Sequence, residues 1–257
     1  MGPPWPRRPR LVAGNWKMNK TPPEGAALAR ELLALWSSGR PCEVALCPAF
    51  PALESVGVAL RGSGAHLGAQ NLHPEPRGAF TGEVSGPMLK ALNCRFVIVG
   101  HSERRHGMGE DDALVARKAR AVLRDGMIPI VCVGETLAER ESDRTTEVLV
   151  RQVLAVYEDL SEADARATVI AYEPVWAIGT GKVASPEQAR DAHRAVRATL
   201  DRVVAPGIGE ALAILYGGSV SDANAVALFA EADLDGALVG GASREAASFW
   251  RICAAAR

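Results

Sequence analysis

Eight short apolar runs recur along the chain, and each is separated from the next by a longer stretch with helical features. The runs cover residues 11–13, 44–47, 67–69, 96–99, 128–133, 169–172, 213–216 and 236–239. They are continuously hydrophobic instead of alternating between apolar and polar positions, which is typical of parallel strands buried on both faces. The pattern therefore predicts a parallel sheet.

The stretches between the runs carry signals for helix starts. Thr21 precedes two prolines and stands three residues before Glu24, and Ser185 stands in the same relation to Gln188; both patterns are typical of a capped first turn. Eight strand–helix alternations in about 250 residues predict an α/β fold, a (β/α)8 barrel of eight parallel strands ringed by helices. The alternative is an open, doubly wound sheet. Such a sheet usually carries a GxGxxG fingerprint after its first strand, and residues 14–19 (GNWKMN) lack it.

We expect residues 1–257 to form one domain. No stretch is rich enough in proline, glycine or serine to divide the chain into two. Residues 1–10 contain four prolines and three arginines without an apolar core, so we expect a loose N-terminal tail instead of a secretory signal.

Composition narrows the function classes. The net charge is −1, from 29 basic and 30 acidic residues, with no long block of like charge, which argues against nucleic-acid binding. No apolar run approaches ~18 residues, so no membrane span is expected. The five cysteines include no CxxC pair, which favours a reduced, cytoplasmic setting. No cluster has metal-ligand spacing, and we expect neither a metal nor a cofactor.

In a barrel of this kind the active site lies at the carboxyl ends of the strands, so the polar residue after each run is informative. Glu173 follows the sixth run and is a candidate general base. Pro174 and an apolar loop that ends in Gly-Thr-Gly come next, and we interpret residues 174–184 as a lid that closes and excludes water. The alternative is a surface glutamate before a turn, but exposed loops seldom carry Val, Trp and Ile together.

Two other strand ends carry candidate catalytic groups. Lys17 follows the first run and is either a cation for an anionic substrate or a surface lysine. His101 follows the fourth run and is either structural or a neutral imidazole, since it begins a segment that resembles a helix N-terminus, which disfavours imidazolium. Glu103 either positions Lys17 or pairs with Arg104 or Arg105 at the surface.

Two glycine pairs follow the last two runs, Gly217-Gly218 with Ser219 and then Gly240-Gly241. Adjacent glycines let backbone N–H groups approach an anion, and phosphate sites in such barrels often use these two loops. A base, a neutral electrophile, a cation, a phosphate site and a lid together indicate proton abstraction next to a carbonyl in a small phosphorylated substrate.

The chain resembles the triosephosphate isomerase family from Leu11 to about Phe249. The resemblance rests on five motifs in order: a first-loop motif at 14–19 (GNWKMN), a histidine motif at 99–105 (VGHSERR), a base-and-lid signature at 171–182 (AYEPVWAIGTGK), and phosphate loops at 216–219 (YGGS) and 239–243 (VGGAS).

The resemblance implies a TIM barrel that interconverts dihydroxyacetone phosphate and D-glyceraldehyde 3-phosphate through an enediolate in glycolysis and gluconeogenesis. It implies that Glu173 is the base, His101 the neutral electrophile and Lys17 the cationic stabiliser. The residues it assigns to substrate or phosphate binding are Asn15, Lys17, Gly179, Ser219, Gly240 and Gly241.

The family resemblance also implies a homo-oligomer, most often a homodimer. Residues 70–83 are similar to the loop that docks into the partner subunit, and Thr81 would approach the partner's first loop. Arg197 and Asp235 match a structural ion pair of the family.

Three positions depart from the family pattern: Val183 in the lid hinge, Arg244 after the last phosphate loop, where an apolar residue is usual, and residues 73–76 in the docking loop. The rival functions are a Schiff-base aldolase, which needs a buried lysine for the carbonyl, a metal-dependent epimerase, and a barrel kept only for binding.

Overall fold

Eight parallel strands close into one barrel in chain order, so the predicted fold is confirmed. The computed structural model describes residues 8–36, 41–180 and 182–256. Every strand coincides with a predicted apolar run and exceeds it by at most two residues. The strands are β1 (Leu11–Asn15), β2 (Glu43–Cys47), β3 (His66–Ala69), β4 (Cys94–Val99), β5 (Ile128–Val133), β6 (Val169–Tyr172), β7 (Ala213–Tyr216) and β8 (Gly236–Val239).

Helices surround the barrel, and some connections carry more than one. In the described residues they are α1 (Pro22–Ala34), α2 (Leu53–Ala59), α3 (Gly86–Ala91), α4 (Ser102–Gly107), α5 (Asp112–Arg124), α6 (Leu137–Glu141), α7 (Thr145–Tyr157), α8 (Glu162–Arg166), α9 (Pro186–Val203), α10 (Ile208–Ala211), α11 (Ala225–Phe229) and α12 (Ala246–Ala255).

The predicted helix caps form at both sites. The N–H of Thr21 donates to Glu24 Oε2 over 2.7 Å at the start of α1. At the start of α9, the N–H of Ser185 donates to Gln188 Oε1 over 2.9 Å, and the N–H of Gln188 donates back to Ser185 Oγ over 3.2 Å. These bonds satisfy backbone donors that have no partner within the helix, which fixes where each helix begins.

The core has two layers because each strand is covered on both sides. Leu11 and Ala13 of β1 point into the barrel, where they pack with residues such as Phe96 and Leu215. Val12, between them, points outward and packs under the helices. Alternation of this kind along fully buried strands explains why the runs are continuously hydrophobic.

Charged side chains close the amino-terminal end of the barrel. Arg197 Nη2 on α9 lies 2.7 Å from Asp235 Oδ2, so the predicted structural pair forms. Arg8 Nε lies 2.6 Å from Asp235 Oδ1, and the guanidinium of Arg10 donates to the carbonyl of Leu234. The last residues of the predicted loose tail are therefore bound to the barrel, while residues 1–7 lie outside the described part.

All five cysteines are free thiols, and Cys47 and Cys132 are buried in the barrel interior. In the described ranges, no helix is both long and apolar enough to cross a bilayer. The predicted site residues lie at the opposite end of the barrel, after the carboxyl ends of the strands.

Candidate active site

A cavity of about 350 Å³ opens at the carboxyl ends of the strands. Its wall brings together eight of the predicted site residues, although they come from five separate strand ends: Asn15, Lys17, His101, Glu173, Gly179, Ser219, Gly240 and Gly241. Glu103 lies just outside the wall against Lys17. Thr81 is exposed on the long loop after β3. No group of three potential metal ligands occurs among the described residues.

Glu173 follows the last residue of β6 and is only 2% exposed. Its Oε2 accepts the N–H of Ser102 over 2.8 Å, and its Oε1 lies 3.0 Å from His101 Nε2 without a well-aligned hydrogen bond. Burial by itself raises the pKa of Glu173, but His101, the N–H of Ser102 and the charge of Lys17 together outweigh it and lower the pKa. The buried carboxylate is therefore ionised at neutral pH, as a base must be.

His101 caps the first turn of α4, and its ring nitrogens have different surroundings. Nδ1 accepts the N–H of Glu103 over 3.2 Å, and the neutral tautomer that fits this bond carries its proton on Nε2. Burial lowers the pKa of His101, but the carboxylate of Glu173 outweighs it and raises the pKa. The predicted neutral ring is therefore favoured by the hydrogen bond from Glu103 and opposed by the field of Glu173.

Lys17 is held in an uncommon backbone conformation, with φ of +53°, a region that few residues other than glycine adopt. Two contacts hold it there. Asn15 Oδ1 accepts the N–H of Lys17 over 3.1 Å, and Gln70 Nε2 donates to its carbonyl over 2.9 Å. Such strain persists only where neighbours over-determine it, and here it directs the side chain into the cavity.

The contact made by the side chain of Lys17 distinguishes the two partners predicted for Glu103. Lys17 Nζ lies 2.5 Å from Glu103 Oε1. The two arginines that follow Glu103 have other partners: Arg104 pairs with Glu110 and Arg105 pairs with Asp112. Glu103 therefore pairs with Lys17 and not with Arg104 or Arg105.

The glycine pairs after β7 and β8, Gly217-Gly218 and Gly240-Gly241, line the cavity, and we call them the glycine floor. Ser243 donates its N–H and its hydroxyl to the carbonyl of Gly240, over 3.0 and 2.7 Å. Because a trans peptide is planar, the N–H of Gly241 in the same peptide points the opposite way, away from Ser243. Asn224 Nδ2 holds the other loop by donating to the carbonyl of Ser219 over 3.0 Å. The geometry suits an oxyanion bound by backbone N–H groups.

The lid begins with a short 3-10 helix at Val175–Ala177. Trp176 Nε1 donates to Glu135 Oε1 over 2.9 Å, and the hydroxyl of Tyr172 donates to the same oxygen over 3.1 Å. Gly179 is exposed and has φ of +69°, which favours glycine at this position. The lid is therefore tied at its start and open at its tip. Its residue Gly181 lies outside the described residues.

The sequence reasoning missed three residues that this geometry uses: Gln70, Ser102 and Glu135. Gln70 and Glu135 stand within two residues of the ends of β3 and β5. The same inspection of polar residues after each strand that identified Lys17 and His101 would have identified both if it had included β3 and β5. Ser102 contributes only its backbone N–H to Glu173, and no side-chain signal marks such a contact.

The family model for triosephosphate isomerase matches residues 10–256. The triosephosphate isomerase of Chlorobium luteolum is 52% identical over 246 residues, which cover 95% of this chain and 98% of that protein. That of Thiobacillus denitrificans is 53% identical over 252 residues, 97% of this chain and 99% of that protein. That of Dechloromonas aromatica is 50% identical over 249 residues, 97% of this chain and 99% of that protein.

Proposed function

We infer, because this chain belongs to the triosephosphate isomerase family, that it interconverts dihydroxyacetone phosphate and D-glyceraldehyde 3-phosphate in glycolysis and gluconeogenesis. One observation supports the assignment to particular residues: the buried carboxyl group of Glu173 meets His101 and Lys17 in one cavity. Residues 1–257 act as one barrel domain in this proposal.

Glu173 is the base that moves the proton between the two carbons. It removes a proton from the carbon next to the carbonyl, which gives an enediolate, and it returns a proton to the neighbouring carbon. Its burial supports this role, because a carboxylate that has lost its water is a stronger base towards a C–H bond. The carboxylate must first leave the N–H of Ser102 and turn into the cavity.

His101 and Lys17 stabilise the charge that develops on the substrate oxygens. The Nε2–H of His101 donates to the oxygens in turn, which is consistent with the tautomer that Glu103 favours. Lys17 supplies a positive charge, and Asn15 supports both the substrate and the backbone of Lys17. Groups that are already oriented cost no reorganisation during the reaction.

The phosphate binds to the backbone N–H groups of Gly179, Ser219, Gly240 and Gly241. Residues 174–184 close over it, so that Gly179 moves from its exposed position onto the phosphate. Ile178 and Leu238, which also line the cavity, then give apolar walls around the base. Exclusion of water protects the enediolate, since an exposed enediol phosphate would eliminate its phosphate.

We propose that the enzyme acts in the cytoplasm as a homo-oligomer, with a homodimer as the favoured form. Several large apolar side chains near the long loop are exposed in the isolated chain, among them Met18 at 95%, Phe80 at 43% and Met88 at 57%. Exposed apolar side chains of this size support a protein interface. Thr81 on that loop docks near the partner's first loop.

The test is a coupled assay of glyceraldehyde 3-phosphate isomerisation with chelator present. Glu173→Asp withdraws the carboxylate by one methylene, so we expect kcat to fall by about 10²–10³-fold with the fold retained. Glu158→Asp, an exposed change at the end of α7, is the matched control and should leave kcat unchanged. Wild-type turnover that disappears with chelator, or an adduct trapped by borohydride, would favour the rival enzymes. Binding of a phosphate analogue without turnover would favour a binding protein.

A further inference from the structure

Arg244 is a charged side chain in the cavity wall to which the mechanism above gives no role. It ends the short 3-10 helix Gly241–Arg244 that follows β8. Its Nη1 donates to Asn19 Oδ1 over 2.9 Å, and its Nε donates to the carbonyl of Gly241 over 3.3 Å. The guanidinium is thus held at the rim of the cavity, beside the glycine floor.

The side chain of Asn19 is held in one orientation by its own hydrogen bond, so the side chain of Arg244 that bonds to it has a defined position. The Nδ2 of Asn19 donates to the carbonyl of Trp16 over 2.7 Å, so its Oδ1 is left to face Arg244. The guanidinium is therefore fixed from two sides by neutral acceptors, and part of its rotamer entropy is already lost before a ligand binds.

Two cations flank the glycine pair. A Cβ built on Gly240 would lie 3.6 Å from Lys17 Cε, and a Cβ built on Gly241 would lie 3.5 Å from Arg244 Nη2. The absence of side chains at both glycines leaves the space between these cations and the backbone N–H groups open. An anion on the glycine floor would therefore have Lys17 on one side and Arg244 on the other.

The two cations differ in their ion pairs. Lys17 is paired with Glu103 at 2.5 Å. Arg244 has only neutral hydrogen-bond partners, and in the described part of the chain no carboxylate forms an ion pair with it. A guanidinium also presents donors in a planar fork that matches phosphate oxygens.

We propose that Arg244 is a second phosphate-binding cation of this active site, which acts from the Gly241 side and raises the affinity for dianionic ligands. This inference rests on the proposed function, since it names a further residue at the same phosphate site. Arg244 is exposed, so solvent and salt weaken its effect. We expect it to change affinity by about three- to tenfold at low ionic strength and by less at high salt.

The alternative role is purely structural: Arg244 ties the first loop to the last one through Asn19. The two roles differ in what they affect. A phosphate-binding cation changes KM and the affinity for inorganic phosphate and leaves kcat within about twofold. A structural tie affects kcat and thermal stability, and it affects turnover of D-glyceraldehyde, which has no phosphate, as much as turnover of the phosphorylated substrate.

The experiment compares wild type, Arg244→Met, Arg244→Lys and the control Arg251→Met. Arg251 is an exposed arginine on α12 that does not line the cavity, so its replacement removes the same net charge elsewhere. Inorganic phosphate is titrated calorimetrically at two ionic strengths, and KM and kcat are measured for D-glyceraldehyde 3-phosphate and for D-glyceraldehyde.

We expect Arg244→Met to weaken phosphate binding and raise KM three- to tenfold at low salt, Arg244→Lys to recover most of the loss, and Arg251→Met to match wild type. An Arg244→Met protein that binds phosphate as wild type does, or that loses glyceraldehyde turnover to the same degree, would overturn the inference. Because the calorimetric titration needs no turnover, it tests Arg244 even if the isomerase activity were absent.

Discussion

Gly217 lies directly against the base, so a single methyl group at this position should disturb catalysis. A Cβ on Gly217 would lie 2.8 Å from Glu173 Cγ and 3.1 Å from the carbonyl oxygen of Tyr172. Ordinary carbon–carbon contacts are about 3.5–4.0 Å, so the Gly217→Ala methyl must gain about 0.7–1.2 Å from Glu173. The carbonyl belongs to β6 and is held in the barrel, so the flexible carboxylate side chain is the group that yields.

A displacement of about 1 Å at a reacting group can cost about 10²-fold in rate. We therefore expect kcat of Gly217→Ala to fall by about 10- to 100-fold, with a smaller change in KM because the phosphate-binding glycines are untouched. The measurement is the steady-state isomerase assay, with circular dichroism and thermal unfolding to confirm the fold.

Gly107→Ala is the matched control, since no atom lies within 4 Å of a Cβ at that position and its φ is not in the left-handed region. Its kcat should equal that of wild type. A folded Gly217→Ala enzyme with kcat within twofold of wild type would show that the position of Glu173 in this structure does not govern the reaction.

Three further predictions concern Glu173, Trp176 and Thr81. Glu173→Gln should lower the pKa of His101 in an NMR titration, and an unchanged pKa would contradict this. Because the pKa of Glu173 is lowered and that of His101 is raised in the folded protein, the stability lost by the variant should be largest between about pH 4.5 and 6.5. The loss should shrink as pH falls through the folded pKa of Glu173 or rises through that of His101. Trp176→Phe should speed hydrogen exchange at residues 175–180 in the unliganded enzyme, because the bond to Glu135 is lost, whereas equal exchange would show that the bond does not hold the lid. Thr81→Arg should weaken subunit association in sedimentation experiments, and an unchanged dissociation constant would remove this loop from the proposed interface.

The barrel could be predicted from the sequence because each strand is buried on both faces. Segments such as 128–133 and 236–239 are uninterrupted apolar runs, and the strands there have the same bounds as the runs. Polar capping residues mark the starts of α1 and α9 equally clearly. The tail was harder to predict, because Arg8 finds its partner Asp235 more than 200 positions away.

The site was partly predictable for a related reason: in this fold, residues just after several of the strands line one shared cavity. That rule places Lys17, His101 and Glu173 together. It does not reveal contacts between neighbouring loops, such as that of Trp176 with Glu135, or the turn of Glu173 onto a backbone N–H. Those contacts depend on the closed geometry of the barrel and on distances between residues far apart in the chain.

Isomerisation of D-glyceraldehyde 3-phosphate in D2O, followed by NMR of the product, tests the central claim most directly. If Glu173 carries the proton through an enediolate, it exchanges that proton with solvent before returning it, so dihydroxyacetone phosphate should contain deuterium at C1, and Glu173→Gln should form almost none of this product. A product that retains only protium, formed at an undiminished rate by Glu173→Gln, would contradict the proposed base and the enediolate with it.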